Sequence, residues 1–297
     1  MELEFGAQDE AYRAEVRSWL ESNVSAFWDG ARENGAPTDD DGFPLRRAWQ
    51  AKLYEAGLIG VTWPVEYGGQ GRSVVENAIL QEEMARAGAP APVNGLGIGL
   101  CGPAIQHYGT EAQKARFLRP ILTAEEIWCQ GYSEPGAGSD LASLQTRAEI
   151  RQNRYVVSGQ KIWTSLAHHA DWCFCLVRTD PGARKHEGIG FLLIDMKSPG
   201  IEVRPIVQIT GAREFNEVFF KDVEVPLENM VGEPTQGWRI ANTVLGYERG
   251  ASTLSMYATY RRSFERLVAL ARSRSRMSDP TIRERVARIA TEIEVLR

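Results

Sequence analysis

The feature that most constrains this chain is a double change of hydrophobic period: helical repeat, then short β-branched runs, then helical repeat again. Through the first 125 or so residues apolar side chains recur every three or four positions. Tyr12, Val16, Trp19 and Leu20 fall at i, i+4, i+7 and i+8, and Leu45, Trp49 and Leu53 repeat every four. Residues 29–43 are polar and rich in Gly and Asp, which predicts a loop, and Gly57 stands where a helix C-cap belongs. Ser73-Val-Val-Glu76 has capping-box spacing and predicts a helix to about Ala87. Thr110-Glu-Ala-Gln113 repeats that signal before a shorter helix ending near Pro120.

The texture changes near Ile127. Residues 154–158, 172–178, 189–195 and 217–225 are β-branched and aromatic with turns between them, the spacing of a compact antiparallel barrel or sandwich. After Gly232 and Pro234 one helical segment runs from about Gln236 to Arg272, and Asp279-Pro280 supplies a cap and an N1 proline for a last helix. Its stripe is Ile282, Val286, Ile289, Ile293 and Leu296. The 297 residues are about twice the commonest domain size, so more than one domain is expected. The order predicts an α+β chain: an N-terminal helical domain over 1–125, a central antiparallel β-barrel or sandwich over 126–232, and a C-terminal helical bundle over 233–297. The last stripe is still running at Arg297, so the bundle is expected to be incomplete.

Several function classes are set aside early. A net charge of −5 lacks the basic surplus of a nucleic-acid binder. No apolar run approaches the length of a membrane span, and the acidic start MELEFGAQDEAY is unlike a signal peptide, so a cytoplasmic protein is expected. Cys101, Cys129, Cys173 and Cys175 fit neither a zinc site nor a disulfide framework; Cys173 and Cys175 should share one strand face as small buried side chains. His107, His168, His169 and His186 have no metal spacing and read as surface or loop residues, so no metal is expected. Gly97-Ile-Gly99-Leu-Cys-Gly102 matches a dinucleotide fingerprint in letters only, since no strand precedes it and Pro103 follows; a flexible or closely packed helix–helix connection is expected there. Asn23-Val-Ser25 is a glycosylation sequon inside a helical pattern and carries no weight.

The informative stretch is Tyr132-Ser-Glu-Pro-Gly-Ala-Gly-Ser-Asp140, followed by Gly159-Gln-Lys-Ile-Trp-Thr-Ser165. A Gly-containing, hydroxyl-rich loop beside a β-domain exposes donors. A Trp next to a Ser offers a flat apolar face with one hydrogen-bonding edge, which suits a planar heterocycle; a turn and a core Trp would share the same letters. This pair of segments resembles the signature of the acyl-CoA dehydrogenases. Gly57-Leu-Ile-Gly60, Trp63-Pro64, Tyr67-Gly-Gly-Gln-Gly71, Glu82-Glu83, Tyr108-Gly-Thr110 and Asp222-Val-Glu-Val-Pro226 are also similar to that family's residues. The likeness covers about residues 10–260, and the family's fold has the same helical–β–helical order.

The resemblance implies FAD, with Tyr132 and Ser133 contacting the flavin, Trp163 lying against its ring and Ser165 hydrogen-bonding near N5. It implies that Ser139 and Arg249 contact the acyl-CoA. Oxidation to a trans-2-enoyl-CoA needs a base for the α-proton and stabilisation of the thioester enolate, because a carboxylate alone is too weak a base. Leu245-Gly-Tyr-Glu248-Arg249 matches the segment that holds the base in the isovaleryl- and long-chain branch, which makes Glu248 the candidate. A solvated helix Glu is the plain alternative. Electrons would pass to an electron-transfer flavoprotein, and a tetramer, homo- or heteromeric, is implied. The motif that reaches a neighbour's FAD in this family has no Phe-Gly in Arg272-Ser-Arg-Ser-Arg-Met-Ser-Asp-Pro280, a departure shared with actinobacterial heteromeric enzymes of sterol side-chain breakdown. An oxidase or flavin monooxygenase on the same scaffold, and a non-catalytic subunit of a heteromeric dehydrogenase, are the competing readings.

Overall fold

The computed structural model describes residues 6–32 and 42–296, and for residues 26, 28–32, 247–256 and 258 the backbone only. Along the chain run α1 (Ala7–Arg32), α2 (Phe43–Glu55), α3 (Val74–Ala87), α4 (Gly102–Tyr108) and α5 (Glu111–Thr123). The strands follow: β1 (Trp128–Gly131), β2 (Arg147–Arg151), β3 (Arg154–Ser165), β4 (Trp172–Arg178), β5 (Ile189–Asp195), β6 (Ile201–Pro205), β7 (Phe215–Pro226) and β8 (Met230–Val231). Two helices close the order, α6 (Gly237–Ser273) and α7 (Pro280–Val295). The chain groups into two compact units, one of Met1–Gly35, Gly71–Ala91 and Arg249–Arg297, the other of Ala36–Gln70 and Pro92–Glu248.

In the first unit α1 and α3 meet around one buried carboxylate. Glu83 is 1% exposed and takes Arg17 at 2.6 Å, Arg86 at 2.7 Å and Arg13 at 3.2 Å. Burial alone would push its carboxyl up, but the hydrogen bonds from Arg17, Arg86 and Arg13 overcome this and hold its pKa at about 2. Ser73 and Glu76 form the capping box of α3, as their spacing predicts. Asp279 caps α7 by accepting from the Thr281 amide, with Pro280 at N1. Of the α7 stripe, Ile293 is buried whereas Ile289 and Leu296 are exposed.

The second unit is a sheet with helices against it. Strand order is β6-β7-β3-β2-β4-β5-β8, with β1 beside β4. Every pairing is antiparallel except β1 with β4 and a single β2–β4 register point, Arg147 opposite Arg178. Alternation along β4 sends Cys173 and Cys175 to one face, where they are fully buried with Cys129, Val157, Leu192 and Val218. The opposite face is aromatic. Phe117 of α5 packs edge-on to Trp128 at 5.4 Å and to Trp172 at 4.9 Å, which seats the helix on the sheet. Asn94, 1% exposed, ties helices to strand: its amide donates to Ile121 O and Glu126 O, and its carbonyl accepts from the Trp128 amide.

Two boundaries differ from expectation. The loop expected from residue 29 is helical to Arg32 and α2 begins at Phe43; the stretch 33–41 lies outside the described residues. Next, α5 runs through Pro120 to Thr123. A proline removes one ladder donor, but burial of Phe117, Leu118, Ile121 and Leu122 on one face carries the helix past it. Of the two forms expected for the GxGxxG segment, the structure has the closely packed helix–helix connection. Gly97–Cys101 forms a π-helical turn leading straight into α4, and Gly102 must lack a side chain because a Cβ there would lie 2.1 Å from the Trp63 ring. The strands β1, β2, β6 and β8 were not read from the sequence; β1 and β8 are too short to show a period, and β2 and β6 are mostly exposed.

Candidate functional site

The site is built where the loop after β1 meets the far end of β3. The loop folds over Pro135-Gly136, with Glu134 N donating to Ala137 O and Ala137 N to Glu134 O, both at 3.0 Å. Strand β3 carries two irregularities in its register with β7, between Val157 and Gly159 and between Lys161 and Thr164. Gly159 (φ +155°) permits the first, since a Cβ would fall 2.6 Å from Thr146 Cα. The second breaks strand alternation. Lys161 is fully buried, Trp163 is 58% exposed and Thr164 is buried again. Trp163 sits at φ +60°, a left-handed backbone that a bulky residue adopts only when its surroundings impose it. Its ring touches Phe215 edge-on at 6.2 Å and otherwise presents a face.

A charged hub joins the two segments. Lys161 Nζ donates to Glu134 Oε1 at 2.8 Å and to Tyr132 O at 3.0 Å. Glu134 also accepts from the Gln145 amide at 2.6 Å and the Thr146 amide at 2.8 Å. Burial opposes the charge on Glu134, but Lys161 and these bonds win and hold the carboxyl below its ordinary range. Ser133 O accepts from Ile162 N at 2.9 Å, and the Tyr132 ring packs edge-on to Phe174. Buried Asn216 steadies the other end of the bulge, donating to Thr164 O at 3.0 Å and meeting His168 Nδ1 at 3.0 Å through its carbonyl.

The structure thus brings Tyr132 and Ser133 against the segment that carries Trp163 and Ser165. Ser139 lies exposed further along the loop. There Asp140 pairs with Lys185 and accepts from Ser143, which keep its carboxyl low. A cleft of about 590 Å³ opens beside it, with Arg147, Arg178 and Lys185 in its lining. Glu248 and Arg249 fall within α6, and their side chains lie outside the described residues. Sequence reasoning passed over Glu134, Lys161 and Asn216. The first two are letters of the motif itself, yet nothing in their spacing marks them as a buried pair. The histidines are surface or loop residues as expected: His107 and His186 are exposed, and His168 and His169 lie in a loop, half-buried, His168 against Asn216 and His169 stacked on Phe43 at 3.9 Å. Two buried polar atoms near the hub, Gln130 Nε2 and Thr164 Oγ1, have no protein partner among the described residues. Unpartnered atoms, two half-exposed hydroxyls and an open indole face are a donor set that fits a planar heterocycle with polar edges. Among the described residues no group of His, Cys, Asp and Glu could hold a metal, and no helix is long and apolar enough to cross a membrane.

Helical segments before and after a mostly antiparallel sheet, with this strand-end site, define an α+β chain of helical–β–helical order. Family models for the acyl-CoA dehydrogenase N-terminal, middle and C-terminal domains match residues 6–125, 129–223 and 235–297. Acyl-CoA dehydrogenase IpdE1 of Mycobacterium tuberculosis is 47% identical over 289 residues, covering 97% of this chain and 75% of the relative. Among solved structures, the Tcur3481–Tcur3483 steroid ACAD superposes with a TM-score of 0.87 at 35% identity, over 99% of this chain and 75% of that one. The ChsE4–ChsE5 complex of Mycobacterium tuberculosis gives 0.85 at 34% identity, with coverage of 99% and 75%. The chain belongs to the acyl-CoA dehydrogenase family, whose members are flavin-dependent enzymes.

Proposed function

We propose that this chain binds FAD and dehydrogenates an acyl-CoA thioester to its trans-2-enoyl-CoA. The observation that carries the reading is Trp163, held left-handed with an open face and flanked by the Ser133 and Ser165 segments. Tyr132 and Ser133 would border the flavin, Trp163 would cover part of its ring, and Ser165 would hydrogen-bond its edge. The flavin, when bound, supplies the hydride acceptor for the β-carbon. Glu248 takes the α-proton. Ser139 and Arg249 contact the acyl-CoA. The neighbouring cleft, where Arg147, Arg178 and Lys185 stand against the one carboxylate of Glu149, has a net positive lining that suits the phosphates of the CoA moiety.

The reading extends to organisation. Residues 1–125, 126–232 and 233–297 are taken as three successive domains, with the family-model matches to 6–125, 129–223 and 235–297 in support. The solved neighbours, a steroid ACAD and a two-protein complex, support a steroid-type acyl group and a heteromeric assembly, for which the family resemblance suggests a tetramer. An electron-transfer flavoprotein takes the electrons, in the cytoplasm. The test is to purify the protein alone and with a co-expressed neighbouring subunit, record the flavin absorption, and screen acyl-CoAs with steroid side-chain thioesters included. Flavin binding with anaerobic bleaching by one thioester class is expected. A colourless protein in both preparations sinks the reading.

A further inference from the structure

We propose that Glu134 and Lys161 are a positioning pair, fixing Ser133 relative to the Trp163–Ser165 bulge and so setting the frame that receives the flavin. The inference rests on the flavin reading above and goes beyond it, because neither residue touches the ligand in that reading. Lys161 is 0% exposed and Glu134 6%. A buried ion pair is costly to desolvate, and well-packed apolar residues often serve stability as well, so stability alone gives no reason for one here.

What the pair has is reach. Lys161 Nζ grips Tyr132 O and Glu134 Oε1, the residues on either side of Ser133. Glu134 in turn takes the amides of Gln145 and Thr146, where the chain enters β2. Ile162, next to Lys161, donates to Ser133 O. Three segments therefore converge on one ammonium and one carboxylate, two residues away from the strained backbone of Trp163. Charge-assisted bonds are short and directional, which is what holding a left-handed aromatic in place against its own preference requires. The net charge of the pair is zero, so it adds no net charge to the site.

The decisive variant is Lys161→Met with Glu134→Gln, which keeps side-chain length, removes both charges and leaves one acceptor oxygen where the carboxylate offered one to each of the two amides. Three readouts are taken: thermal unfolding, amide hydrogen exchange of residues 132–140 in ligand-free protein, and FAD titration of the apoprotein by fluorescence. The midpoint of unfolding is expected to move by only a few degrees. Exchange in 132–140 should quicken about tenfold or more and FAD affinity should fall about tenfold or more, as loss of two buried charge-assisted bonds implies. A folded double variant with wild-type exchange or wild-type affinity overturns the proposal. So does failure to fold, since the pair would then hold the fold rather than the site. Glu134→Gln alone keeps one acceptor oxygen and leaves the Lys161 ammonium buried beside a neutral amide, so its change should be at least as large as that of the double variant; wild-type exchange and affinity in this single variant also overturn the proposal. If the wild-type protein does not bind FAD, the flavin reading falls, whereas the exchange comparison, made without ligand, still decides the pair.

Discussion

Replacing Trp163 by alanine and, separately, by glycine divides the work of its side chain from the work of its backbone. With 58% of the residue exposed, roughly 130 Å² of a side chain of about 200–250 Å² faces outward. A flat ligand lying on one face removes about half of that area from water. At about 25 cal/mol/Å² the contact amounts to about 1.5–2 kcal/mol, or roughly 10–30-fold in Kd. Both variants should therefore lose FAD affinity by the same factor. Their folding stabilities should differ. Alanine at φ +60° keeps a left-handed penalty of about 1–2 kcal/mol, which glycine escapes. Glycine gives back about 0.5–1 kcal/mol through its freer unfolded chain. The glycine variant should then unfold about 0.5–1 kcal/mol harder than the alanine variant, a rise in midpoint of about 1–3 °C. Apoprotein thermal unfolding and FAD fluorescence titration measure the two effects independently. Equal stabilities refute the left-handed bulge as a source of strain, and undiminished FAD affinity in both variants removes Trp163 from the site.

Other expectations follow from single residues. Glu248→Gln should retain flavin yet lower turnover by roughly 10²–10⁴-fold, because an amide cannot accept the α-proton; steady-state activity above a tenth of wild type reassigns the base. Ser165→Ala should move the flavin reduction potential while leaving the unfolding midpoint almost in place, read by anaerobic dye titration. Glu83, with a folded pKa of about 2 against an ordinary 4.5, contributes stability that is present above pH 4.5 and lost as pH falls toward 2, to the extent of roughly 2–3 kcal/mol. Denaturant unfolding from pH 5 to pH 2 should show that loss in the wild type and not in Glu83→Gln, and parallel curves for the two proteins would remove the arginine cluster as its cause.

Much of this protein is written in local pattern. The change of period near residues 127 and 232 announces helices, sheet and helices because side-chain repeat is a property of the local backbone. Capping is equally local, so Ser73, Thr110 and Asp279 mark their helix starts without reference to anything distant. Even the chemistry of the site is legible, since the hydroxyls and the Trp occur as two contiguous segments. What the sequence cannot carry is how far one segment overrides another. Pro120 should stop a helix, and four apolar neighbours buried on α5 overrule it. The exposure of Trp163 depends on a register slip against β7, a partner about fifty residues away in the chain. Glu134 and Lys161 are the sharpest case. Any list of letters shows an acid and a base twenty-seven residues apart, and both types belong by default on the surface. Only when β1, β2 and β3 close around them does water leave. A buried charge then has a choice between a partner and neutrality, and tertiary structure supplies the partner.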